Sequence, residues 1–128
     1  MSEITSDVNW LAVLVGTVIS FVLGWLWYSP KMFGEKWAEG VGVSLADSNE
    51  MPIAPLFIQL AANFCLAWVV GVTLAANALP FMILIAISFL LIMIAGGKFS
   101  QKSNYAICTE AGFVACMVAI MILCHAVL

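Results

Sequence analysis

Four apolar stretches, each long enough to cross a membrane, leave little of this chain for anything else. They cover residues 9–28, 53–76, 80–97 and 104–128. At a rise of about 1.5 Å per residue, a stretch of roughly 20 residues reaches across about 30 Å of hydrocarbon. In lipid every backbone polar group must be satisfied internally, so spanning elements are helices or closed barrels. Barrel strands alternate polar and apolar residues, whereas these runs are continuous. The expected fold is all-α, a polytopic membrane protein with one four-helix transmembrane domain and a short interfacial helix after the first span. The composition agrees: 65% hydrophobic and 9% charged is too little charge to clothe a soluble domain.

Residues ahead of the first span include Glu3 and Asp7 but no lysine or arginine, so no cleavable signal is expected. All four basic residues are lysines. Lys31 and Lys36 follow the first span, and Lys98 and Lys102 follow the third. The positive-inside rule then puts the first and third connections in the cytoplasm and both termini outside. The second connection, Asn77-Ala78-Leu79, is so short that spans two and three must be antiparallel neighbours. Asn77 suits a helix C-cap there, and Pro80 a first-turn position.

The long first connection begins Ser29-Pro30, which reads as an N-cap followed by proline at the first helical position. Phe33, Trp37 and Val41 then recur every fourth residue, with Lys31, Glu35 and Glu39 on another face. That is the pattern of a helix lying on a membrane surface. The alternative is an ordered loop with aromatic anchors. Gly40 and Gly42 are expected to end the helix, Ser44 to Asp47 resembles a weak second cap, and Pro52 and Pro55 lead into the second span. Trp10 at one end of the first span, and Trp25, Trp27, Tyr28 and Trp37 at the other, form an aromatic belt.

Small residues recur every fourth position: Gly16, Ser20 and Gly24; Ala67, Gly71 and Ala75; and Ala111, Ala115 and Ala119 beside Gly112. Such stripes let helix backbones approach closely, and in lipid that packing drives association. They suit contacts within the chain or between copies, and a homo-oligomer is expected.

Depth counted from the cytoplasmic end of each span groups the polar residues. Gln59 lies about 8 Å in, Glu110 about 9 Å, Ser20 about 12 Å, and Asn63 and Ser88 about 13 Å. Gln59 and Asn63 share a helix face. Glu110 is the acidic residue inside a span, and ionisable groups there are costly and face the interior. Burial favours its neutral form, which would donate to Gln59 or Asn63. This layer reads as polar glue between helices or as an ion- or proton-handling site, unless the last span starts later and Glu110 sits near the interface. Met117, Met121, Cys124 and His125 share a face of the last span and are soft-ligand types suited to copper or haem. Met and Cys are also common apolar fillers, and no metal or cofactor is expected. Cys65, Cys108, Cys116 and Cys124 read as small buried residues and form no C-x-x-C pair. Phe33-Gly-Glu-Lys36 faintly echoes Phe99-Ser-Gln-Lys102, as a duplicated two-helix unit would. Phosphate loops, catalytic triads and a basic nucleic-acid patch are missing from the sequence, so no nucleic-acid partner and no catalytic residue is expected.

Asn9-Trp10-Leu11-Ala12-Val13, followed by Leu23-Gly24-x-x-Trp27-Tyr28-Ser29-Pro30-x-x-Phe33-Gly34-x-x-Trp37, resembles the signature of the domain-of-unknown-function family 1761. That family consists of small, mostly bacterial membrane proteins predicted to have four spans. The resemblance covers the first forty residues most specifically and extends to Ala111-Gly112. It implies the fold and a bacterial inner-membrane location, makes Trp27 to Trp37 the defining element, and implies no activity. Three functions are open at this point: a non-enzymatic self-assembling module or accessory subunit of a larger membrane complex; a small transporter or channel using the layer about Glu110; and a metal- or haem-binding redox protein.

Overall fold

The computed structural model describes residues 4–29, 32–42 and 53–128. Among them are five helices: α1 (Trp10–Trp27), α2 (Gly34–Val41), α3 (Ile53–Ala75), α4 (Leu79–Phe99) and α5 (Asn104–Val127). α1, α3 from Pro55, α4 and α5 are long and apolar enough to cross a membrane, at the places the sequence puts its spans. Pro30, Lys31, the Ser44–Asp47 segment and Pro52 lie outside the described residues.

The helix ends follow from local chemistry. Asn9 caps α1, its Oδ1 accepting from Ala12 N at 3.1 Å. Asn77 stands in the left-handed region (φ 54°), where Ala78 N reaches Thr73 O at 2.7 Å and Asn77 N reaches Leu74 O at 3.1 Å. That pair is a Schellman motif, so Asn77 does end α3. Gln101 (φ 60°) ends α4 the same way, with Lys102 N on Gly97 O at 3.0 Å and Gln101 N on Lys98 O at 3.1 Å. Phe99 to Lys102 is therefore a helix exit, whereas Phe33 to Lys36 is a helix entry, and the echo between them is not structural.

The interfacial helix is present but starts later than the sequence suggests. Ser29 does not cap it; its hydroxyl donates back to Leu26 O at 2.7 Å. Phe33 occupies the N-cap position of α2. Gly42 (φ 83°) ends the helix, but Gly40 lies inside it. There, Gly40 O accepts from Ser103 N at 3.1 Å, and a Cβ would overlap the Ser103 hydroxyl and Ala106. α2 is thus docked on the start of α5.

α5 is the axis of the bundle and touches each of the other helices. Its buried face carries Phe113, Val114, Met117, Val118 and Met121, packed with Val13, Ala67, Val70 and Met82. Two of the small-residue stripes serve this packing. A Cβ on Gly16 would sit 3.4 Å from Met121 Cγ, one on Gly24 2.9 Å from Phe113 Cζ, and one on Gly71 2.8 Å from His125 Nε2. Ala67 is fully buried. Of the remaining positions, Ala111 is half-buried, and Ala75, Ala115 and Ala119 are exposed and take no part in it. None of the four cysteines is buried: Cys65 and Cys108 are exposed and the other two half-exposed, against the expectation of buried fillers. Antiparallel α3 and α4 are neighbours, but α4 leans mainly on α5, and of its residues only Met82 and Gly97 are buried. Such a surface suits lipid, because a helix whose whole periphery is apolar has no side that prefers water.

Candidate functional site

The corner between α1 and α2 closes on the first turns of α5. Trp27 lays its ring over Gly112, where a Cβ would stand 3.3 Å from Cζ2. Its Nε1 donates to Thr109 O at 2.9 Å. A helix carbonyl keeps a second lone pair for such a bond, and the Phe113 ring, one turn on, fills the space beside Gly24. Trp27 packs at a tilt against Phe33 (4.8 Å between centroids) and Phe113 (6.2 Å). Tyr28 meets Phe113 and Trp37 edge to face, at 5.5 and 4.9 Å. Aromatic pairs of this geometry contribute about 0.5–1.5 kcal/mol each beyond area burial.

Gly34 explains how the chain turns here. Phe33 N donates to Trp27 O at 3.2 Å and Gly34 N to Ser29 O at 3.0 Å. A Cβ on Gly34 would overlap the Tyr28 and Ser29 carbonyl oxygens. Only glycine lets α2 begin so close to the end of α1. Trp37, one turn into α2, then points back toward α5 and donates Nε1 to Glu110 Oε2 at 3.0 Å. Lys102 Nζ lies 3.0 Å from both oxygens of the same carboxylate.

Glu110 therefore does not join the layer that depth alone assigns to it. Its partners are a lysine and an indole, both donors. It makes no bond to Gln59 or Asn63. Those two pair with each other, Gln59 Nε2 donating to Asn63 Oδ1 at 2.7 Å. Gln59 is exposed and Asn63 buried. Ser88 is exposed on α4, its hydroxyl spent on Leu84 O at 2.9 Å. Ser20 is fully buried on α1. The expected polar layer thus divides into a cluster at the corner, two buried residues (Ser20 on α1 and Asn63 on α3), and an outward-facing serine.

Tyr28, the residue after the last turn of α1, is held neutral. Burial raises its pKa, and the nearby Glu110 charge raises it further. Lys36 sits 5.4 Å above the Tyr105 ring, a cation–π contact at the rim. Lys102, Thr109 and Phe113 belong to the site although the sequence reading gave them no part in it. The available signal was a lysine at the end of one helix and an acid in the second turn of the next.

At the other end of the bundle, Trp10 lies 6.4 Å from Phe64 and 5.3 Å from Trp68, and Trp68 Nε1 donates to Ile4 O at 2.6 Å. His125 donates Nδ1–H to Met121 O at 2.8 Å, which turns Nε2 toward Gly71. Met117 and Met121 are core residues packed on α1. Among the described residues, no three His, Cys, Asp or Glu side chains are grouped as a metal site would need.

Every motif residue from Leu11 to Trp37 that is described here, and Gly112 beneath Trp27, falls inside the match to a family model. That model, described as a protein of unknown function (DUF1761), matches residues 11–127. The chain belongs to this family. Comparison with curated proteins and with solved structures finds no match. In this DUF1761 member, Gly24, Trp27, Tyr28, Phe33, Gly34 and Trp37 of that motif lie at the α1–α2 corner, whereas Asn9 and Trp10 lie at the other end of the bundle.

Proposed function

We propose that this protein is a non-enzymatic membrane module, self-assembling or acting as an accessory subunit of a larger complex. Its aromatic corner lies at the cytoplasmic face of a bacterial inner membrane, and both termini lie outside. One observation carries the reading: the polar groups of the corner are consumed internally. Trp27 and Trp37 each spend their N–H on α5, and Lys102 and Trp37 occupy the Glu110 carboxylate. A site built to bind a substrate keeps convergent polar groups free in a concavity. Two grooves instead have apolar walls: one of about 380 Å³ between α3 and α4 beside Trp68, and one of about 500 Å³ between α1 and α3 beside Phe57. The long, nearly unburied α4 and the exposed Ala115 and Ala119 supply surface for neighbours in the membrane.

The test is native mass spectrometry of the chain released from its own membrane in nanodiscs. The expected result is a discrete multimer or a stoichiometric complex. A single copy accompanied only by lipid would sink the proposal. A transporter function draws support from the buried Asn63 amide nitrogen, which has no partner among the described residues. Ion flux into liposomes that falls with Glu110→Gln would favour it instead.

A further inference from the structure

Ser20 Oγ and Asn63 Nδ2 are buried without a hydrogen-bond partner among the described residues. Their residues are 0% and 1% exposed. Unsatisfied buried polar groups are rare in folded proteins, and rarer still in a hydrocarbon surround.

The helix register brings the two together. α1 runs antiparallel to α5, with Gly16 on Met121 and Gly24 on Phe113. Ser20, midway between them, therefore faces Met117. α3 runs parallel to α5, with Gly71 on His125. Stepping back by eight residues on each helix pairs Asn63 with Met117 as well. The register thus puts a hydroxyl, an amide nitrogen and a thioether at one level of the three helices. Gln59 fixes the amide, because its bond to Asn63 Oδ1 leaves Nδ2 on the side away from Gln59.

We propose that this centre holds an ordered water molecule, hydrogen-bonded by Ser20 Oγ and Asn63 Nδ2 over Met117. The partners select the ligand. Asn63 offers N–H donors, which repel a cation, and a cation would need several oxygen ligands. A buried anion would need a counter-charge, and Lys102 is engaged with Glu110 about 10 Å along α5 from Met117. Water accepts from the amide and either donates to or accepts from the hydroxyl, and a buried water typically has two to four such partners. It exchanges from the corner end, past exposed Gln59. It goes no further, because Val13, Ala67, Val70 and Met121 close the core beyond with no exposure at all. The water keys the register of α1, α3 and α5.

Radiolytic hydroxyl footprinting of the full chain in nanodiscs tests this, since radicals form where water is bound and methionine sulfur traps them. Met32 is exposed and serves as the positive control; Met82 and Met121 are fully buried and serve as dry controls. Met117, at only 4% exposure, is expected to oxidise about tenfold faster than either dry control if a water sits beside it. Ser20→Ala should bring that rate down severalfold toward theirs. Met117 labelling no faster than Met82 and Met121 would overturn the proposal. So would labelling indifferent to both Ser20→Ala and Asn63→Leu, since the radical source would then lie elsewhere.

Discussion

Trp37 and Glu110, 73 positions apart in the chain, share a hydrogen bond of 3.0 Å that ties the surface helix to the membrane-embedded helix behind it. A hydrogen bond to a charged acceptor contributes about 1.5–3 kcal/mol. Trp37→Phe keeps a ring against Tyr28 but removes the donor. It is expected to lower stability by about 1–3 kcal/mol in a reversible detergent or steric-trapping unfolding assay. An unchanged midpoint would mean that the indole nitrogen contributes nothing to docking α2.

Lys102 and Glu110 should behave as a coupled pair. The side chains are 31% and 17% exposed, so the interaction is partly screened and worth less than a fully buried ion pair. Lys102→Met leaves the carboxylate with only the indole, and Glu110→Gln leaves an ammonium without a counter-ion. Each single change should destabilise more than the pair together. A double-mutant cycle is expected to give a coupling energy of about 1–2 kcal/mol, and strict additivity would contradict the geometry.

Much of this fold is legible in the sequence because span length and apolar content are local properties, set by bilayer thickness. The cap at Asn9 and the stop at Asn77 are local too. What cannot be read locally is azimuth. Counting residues from a span end gives Glu110 and Gln59 nearly the same depth, yet the two face different partners. Which way Glu110 points is decided by α2, folded back by the Gly34 turn and docked through Gly40 and Ser103. The start of α2 was misplaced for a related reason. Ser29 has the side chain of an N-cap, but its hydroxyl donates to the Leu26 carbonyl instead.

Gly34→Ala tests the turn. The added methyl meets two backbone carbonyl oxygens, which cannot swing aside as a side-chain tip would. Overpacking of this kind costs about 1–3 kcal/mol. It should also free α2 from α5, seen as faster proteolysis within residues 32–42 or as loss of Trp37 fluorescence quenching. Gly42→Ala, where an added Cβ meets nothing within 4 Å among the described residues, pays only for its left-handed backbone, about 1 kcal/mol.

The neutral Tyr28 gives the corner an alkaline limit. Its folded pKa lies above the ordinary 10.0. Above that ordinary value the folded state holds a proton that the unfolded state has lost. The contribution is therefore complete below pH 10.0 and disappears as pH rises from there through the folded value. Tyr28→Phe should show a flatter decline of unfolding midpoint than the wild type between about pH 9 and 12. Parallel curves would mean that the phenol ionises as easily folded as unfolded.

The small-residue stripes separate contacts inside the chain from contacts between chains. Gly24 lies against Phe113, and a Cβ there would stand 2.9 Å from the ring. Gly24→Leu must push α1 off α5, and a loss of about 2–3 kcal/mol is expected. Ala119 is exposed on the far side of α5. Ala119→Leu adds volume where this chain has nothing to displace, so the unfolding midpoint of the isolated chain should hold within about 0.5 kcal/mol. If copies associate across that face, close approach depends on small side chains there. The same substitution should then shift the multimer toward single copies in nanodiscs. Loss of stability with Ala119→Leu, or a Gly24→Leu variant that folds as well as the wild type, would contradict this division of the two faces.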